Sequence, residues 1–126
     1  PTLRNRSMYG PAGSAYVYRS YGIHWCLNLV VGGEGLPHAV LLRGGEPTAG
    51  LDVMASRRGR QRNLTDGPGK LCEALGITGD LDGADLTQPP VRLLQGPGLG
   101  GRDVLRTPRI GVSKAVDVPW RFVVVG

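Results

Sequence analysis

The stretch SAYVYRSYGIHWCLNLVV, from Ser14 to Val31, reads as a β-hairpin. Tyr16, Val17 and Tyr18 favour extended backbone, and Gly22 interrupts the run as a turn would. From Ile23 the pattern alternates with period two. Ile23, Trp25, Leu27 and Leu29 share one face, and His24, Cys26 and Asn28 share the other. The simplest account is a hairpin centred on Tyr21–Gly22.

The rest of the chain reads as short elements joined by long connections. Residues 1–13 are basic and turn-rich, which suggests an extended arm or loop. A third strand is expected at Ala39–Leu42, ending at Arg43. Leu51, Met54 and Ala55 stand at helical spacing within Leu51–Arg60. A second helix should begin at Gly67-Pro68-Gly69-Lys70 and stop at Gly76, because proline suits a first turn and glycine a helix end. Later strand candidates are Val91–Leu94, Arg109–Val112 and Arg121–Val125. Strands predominate without regular alternation with helices, so the class is α+β, with a mostly antiparallel sheet and a few short helices.

Composition adds further constraints. Twenty-one Gly and ten Pro among 126 residues demand much loop, yet 40% hydrophobic residues support a folded core. The formal charge is +5, from fifteen Lys and Arg against ten Asp and Glu. Arginine supplies most of that surplus, and its planar fork suits phosphate oxygens, so a polyanionic partner and simple solubility are both consistent readings. Cys26 and Cys72 each sit in an apolar pattern and are expected to be buried, reduced thiols in a cytosolic protein. Two histidines, His24 and His38, are too few for a His-built zinc site, and no run is long enough for a membrane span.

Three local patterns bear on chemistry. GPGLGG at residues 96–101 fits a dinucleotide loop formally, but Pro97 and Pro108 leave no helix to follow it, so it reads as a loop. GPGKLCEAL, from Gly67 to Leu75, offers free helix amides beside Lys70. It reads equally as a phosphate site or as an ordinary helix start. The tyrosine-rich hairpin is sharper. An enzyme that acts on a base must rotate the nucleotide out of the duplex, and an aromatic wedge at a hairpin tip can fill the gap. Tyr21 sits at the tip, Tyr18 could stack on an extruded base, and Asn28 could test a base edge. Plain core packing by these tyrosines remains the alternative.

At this hairpin the sequence resembles the alkyladenine (3-methyladenine) DNA glycosylase family. RNRSMYGPAGSAYVYRSYGIHWCLNLV, AVLLRGGEP, GPGKLCEALGI, PRIGVS and PWRF occur in the family's order and cover nearly all of the chain. The resemblance implies one mixed α/β domain around a curved, mostly antiparallel sheet, of which residues 1–126 form the C-terminal portion. It implies base excision repair of duplex DNA containing alkylated or deaminated purines, by hydrolysis of the N-glycosidic bond, without metal or cofactor. A monomer is expected, cytoplasmic in a bacterium and associated with the nucleoid through DNA.

Carried over by motif, Tyr21 corresponds to the intercalating wedge and Tyr18 to one wall of the aromatic sandwich around the flipped base. Asn28 corresponds to the residue that clashes with the 2-amino group of guanine. Ile23 and His24 fall where the hairpin leans on the minor groove. Arg43 corresponds to the arginine that helps hold the attacking water, and the Ile110 carbonyl to another contact with that water. Lys70 is the candidate phosphate contact.

The family's general base is a glutamate in a motif upstream of the RNR segment, and none of Glu34, Glu46 or Glu73 sits in such a motif. Together with a first residue that is not Met, this makes a fragment or incomplete copy of a glycosylase the expected nature of the chain. A non-catalytic lesion-binding protein or relic is the alternative.

Overall fold

In the computed structural model the described residues are 5–33, 35–96, 103–107 and 121–125. The chain falls into two compact units, Pro1–Leu93 and Leu94–Gly126. The first unit holds an antiparallel sheet of order β1-β2-β3, formed by Ala15–Ser20, His24–Val30 and Ala39–Leu41. Two helices accompany it, α1 at Leu51–Arg58 and α2 at Pro68–Leu75. The class is α+β, as expected from the sequence.

The hairpin forms where the alternation places it, with Val17 opposite Leu27 and Ser20 opposite His24. Its core-facing side packs into a cluster of Ala15, Val17, Leu27, Cys72, Ile77, Leu81 and Leu86, with Trp25, Leu29 and Leu42 against it. Burying side chains of this size contributes roughly 1.5–3 kcal/mol each, which is what holds a short sheet together. The opposite face is not an open polar face, because Tyr16, Cys26 and Asn28 are buried too. Alternation in the sequence therefore separates two covered sides and not an inside from an outside.

Helix α2 follows its punctuation closely. Pro68 stands in the first turn, and Gly76 ends the helix at φ +70, where its N–H bonds back to the Cys72 and Glu73 carbonyls. Helix α1 stops at Arg58, short of the expected Arg60, because Gly59 takes the left-handed conformation at φ +66. No α1 residue is buried. Polar contacts join it to α2: Arg57 donates to the Ala74 carbonyl at 3.0 Å, and Arg58 pairs with Glu73 at 2.8 Å.

Four features differ from the sequence expectations. Arg6–Tyr9 and Gly79–Leu81 are 3-10 turns, short elements without a strong sequence signature. Val91–Leu94 is not a strand. The Leu93 N–H bonds to the Leu86 carbonyl, and Pro89 and Pro90 before it carry no N–H for a ladder. In the second unit Asp103–Thr107 forms β4, paired antiparallel with β5 at Arg121–Val125. The β5 strand was expected and β4 was not. The Arg109–Val112 candidate and residues 97–101 of the glycine-rich stretch lie outside the described residues.

Among the described residues, the outer edge of β1 is met by side-chain and loop contacts and by no further strand. Asp82 accepts a hydrogen bond from the Val17 N–H at 2.8 Å through one carboxylate oxygen and from the Ser7 hydroxyl at 2.8 Å through the other. Ala15 exchanges backbone bonds with Gly83 and Ala84. Replacing Asp82 by alanine strands the Val17 amide, so Asp82→Ala should lower unfolding free energy by about 1–3 kcal/mol in urea titration. An unchanged midpoint would show that the carboxylate is dispensable at this edge.

Candidate nucleic-acid interface

The hairpin tip carries unusual backbone. Tyr21 has φ +52 and Gly22 has φ +67, and the Ile23 N–H bonds to the Ser20 carbonyl at 3.0 Å. Two successive positive φ angles across such a bond characterise a type I′ turn, for which Asn-Gly is the favoured sequence. Glycine accepts this geometry. A tyrosine there costs roughly 1–2 kcal/mol, and its ring is 89% exposed, so no packing compensates for it. Ile23 beside it is 67% exposed. A strained, exposed tyrosine next to an exposed isoleucine is poor design for stability alone.

Behind the tip, the register gathers the remaining hairpin candidates on one side of the sheet. Tyr18 lies opposite Cys26, and Tyr16 lies opposite Asn28. Strand β3 aligns Leu41 with Asn28, and the Leu42 N–H bonds to the Leu27 carbonyl at 3.0 Å, so the next residue, Arg43, comes level with Cys26. Arg43 is close enough for its charge to act on the Cys26 thiol. Tyr18, Cys26 and Arg43 thus form one row across three chain segments, and Tyr16, Asn28 and Leu41 form the next.

These side chains hold one another in place. The Tyr16 and Tyr18 rings sit 5.4 Å apart, tilted by 32°. The Asn28 side-chain amide donates to the Tyr16 carbonyl at 3.2 Å, which fixes a side chain that is only 7% exposed. A buried amide tied in this way cannot swing aside for an intruding group. The sequence names Tyr16 only as a strand former and Cys26 only as a buried thiol, and the cross-strand pairing is the signal that sets both beside the candidate residues.

His24 opens β2 and is exposed. It lies against the first turn of α2, where a Cβ added to Gly69 would come within 3.0 Å of the His24 Cβ. The glycine of GPGK therefore permits a close approach of helix to hairpin. Lys70, four residues after Asp66, pairs with it at 3.3 Å on a partly exposed surface. Such a pair is weak, about 0–1 kcal/mol, and Lys70 directly follows the glycine that meets His24 at the tip end of the hairpin. Ile110 lies outside the described residues. Among the described residues no helix is long and apolar enough to cross a membrane, and no three His, Cys, Asp or Glu side chains gather to hold a metal ion.

Both thiols are buried. Burial pushes Cys26 up against the opposing pull of the Tyr18 hydrogen bond and the Arg43 charge. Burial pushes Cys72 up to about 11, with Cys26 nearby adding to the rise. For a thiol whose folded pKa exceeds the ordinary 9.0, the stabilising contribution is complete below pH 9 and disappears as pH climbs through 11. The stability of the chain should fall across that window, and more gently in Cys72→Ala. Equal alkaline slopes in denaturant titrations would contradict the burial of this thiol. At the tip, Tyr21→Asn should raise unfolding free energy by ~1 kcal/mol, since it installs Asn-Gly in the turn. A lower midpoint would show that the tyrosine is not strained.

The family model described as Methylpurine-DNA glycosylase (MPG) matches residues 1–126. A protein of Nitrosospira multiformis named "Putative 3-methyladenine DNA glycosylase" is 52% identical over 128 residues, an alignment covering 100% of this chain and 65% of the relative. Two proteins with the same printed name come from Methanoculleus marisnigri and Agrobacterium fabrum. The first is 49% identical, covering 99% of this chain and 68% of the relative. The second is 53% identical, covering 96% and 61%. The chain spans between 61% and 68% of the length of these three relatives.

Proposed function

The chain belongs to the methylpurine-DNA glycosylase family, and from that premise we propose that it recognises alkylated or deaminated purines in duplex DNA by flipping them out, in the service of N-glycosidic hydrolysis. The observation that carries this reading is the strained and exposed Tyr21 at the tip of a hairpin whose side bears Tyr18 and Asn28, with Arg43 level with Cys26 on the neighbouring segment. Strain kept at an exposed position points to use there, and a phenol ring ready to leave water for a base stack is a use that fits.

In this reading the hairpin enters the minor groove, and Tyr21 occupies the space of the departing nucleotide. Unstacking costs a few kcal/mol, and ring stacking of about 1–3 kcal/mol per base recovers part of it. Ile23 adds apolar contact at the groove floor. His24 and Lys70, joined through the Gly69 approach, face the backbone beside it. The extruded purine stacks on Tyr18. Asn28, held by the Tyr16 carbonyl, excludes a 2-amino substituent because it cannot move away. Arg43 helps hold the attacking water, and the Ile110 carbonyl is the other contact proposed for it.

A leaving purine that is alkylated is already a good leaving group, so the chemistry needs mainly a placed water and a negative charge beside an oxocarbenium-like sugar. The glutamate that the family resemblance expects for this work is matched by none of the 126 residues. The carboxylates near the fold's seams serve it structurally: Glu73 pairs with Arg58, Asp66 with Lys70, and Asp82 with Ser7 and Val17. These residues therefore support lesion recognition more directly than turnover. The alternative reading is a protein that binds lesions without excising them.

Binding and excision separate the readings. The 126-residue chain should bind a short duplex with one hypoxanthine more tightly than the undamaged duplex. Its affinity should fall steeply with salt as arginine–phosphate contacts release counterions. Excision should be slower by ~10²–10⁴-fold than that of a relative possessing the glutamate. Tyr18→Ala combined with Tyr21→Ala should weaken lesion binding on the order of tenfold or more. Retained affinity in that variant would remove the flipping mechanism, and robust excision by the chain alone would remove the binding-only alternative.

A further inference from the structure

Arg19 has no part in the recognition row, yet it stands two residues before Tyr21 and is exposed. It is paired with Trp25 across the hairpin, on the side opposite Tyr18 and Cys26. The guanidinium carbon lies 5.1 Å from the centroid of the Trp25 ring, within cation–π range. The indole is itself wedged, because a Cβ added to Gly79 would come within 2.8 Å of it. A cationic side chain next to the tip therefore rests on an aromatic platform backed by main chain. Stacking of this kind pre-orients the planar fork before any ligand arrives.

Geometry supplies the ligand. Two residues along a strand span roughly 6.6 Å, and an arginine stem reaches about as far again. A B-form minor groove is about 6 Å wide, with phosphates along both walls. A tip whose ring sits between base pairs therefore brings position 19 beside one wall. The recognition row occupies the other side of the hairpin.

We propose that Arg19 clamps a phosphodiester flanking the nucleotide gap, on the side of the hairpin away from the extruded base. This rests on the base-flipping reading above. The guanidinium donates through its edge to the phosphate oxygens while its face stays on Trp25, so the clamp steadies the wedge against sliding along the groove. The ligand class is the phosphate of duplex DNA, which carries no base identity.

The test is a salt series of equilibrium binding by the 126-residue chain to a short duplex with one hypoxanthine, read by fluorescence anisotropy. Arg19→Met keeps a stem for the indole but removes the charge, and Arg19→Lys keeps the charge. The slope of log affinity against log salt should become shallower by about one unit in Arg19→Met and stay unchanged in Arg19→Lys. Affinity at low salt should drop roughly tenfold in Arg19→Met. A second arm uses the unaltered protein: a neutral methylphosphonate beside the lesion should weaken its binding. Equal slopes for the wild type and Arg19→Met, with no effect of the neutral phosphate, would overturn the proposal and leave Arg19 as a packing partner of Trp25. That outcome leaves a steep wild-type slope intact, whereas absence of lesion-dependent binding by the wild type would overturn the flipping reading and this proposal together.

Discussion

The pairing register between β1 and β2 governs everything else in the first unit. With Tyr18 opposite Cys26 and Val17 opposite Leu27, the aliphatic side chains meet the core while the aromatic and amide side chains meet one another. Side chains alternate along a strand, so a slip of one residue would exchange the two sets completely. The turn prevents it. Left-handed conformations at both Tyr21 and Gly22 suit a tight connection that matches strand twist, and the Ile23–Ser20 bond closes it.

Polar contacts then do the joining that apolar burial does not. Helix α1 buries no residue, and its last turn is anchored by two arginines reaching the end of α2. Arg58 also donates to the Asn63 carbonyl, although its Nε is a buried side-chain atom without a partner among the described residues. The basic run at residues 57–62 is thus not one continuous ligand surface. Part of it is structural, since Arg57 and Arg58 are engaged with α2.

How much of this was legible in the sequence depended on whether the signal was local. The hairpin, with its period of two and its glycine, was readable, and so was α2 between Pro68 and Gly76. The 3-10 turns at Arg6–Tyr9 and Gly79–Leu81 carry no such punctuation and were missed. Val91–Leu94 looked like a strand because apolar content alone does not reveal whether a neighbour is available to pair. The site shows the same division. Tyr18, Tyr21 and Asn28 could be nominated as candidates from the hairpin alone, and the family resemblance brought in Arg43. Tyr16, Cys26 and the Arg19–Trp25 pair became visible only when cross-strand alignment was known, because that information is not contained in any one segment.

The doubly used carboxylate of Asp82 has a consequence for how the protein is made. It guards the rim of β1 from 65 positions further along the chain. A ribosome adding about 5–20 residues per second needs roughly 3–13 s to cover that distance. A hairpin closes in microseconds, so the newborn ribbon exists for seconds with its outer amides bare. Vectorial synthesis therefore imposes an interval in which water or a chaperone must do the work that a single aspartate later takes over.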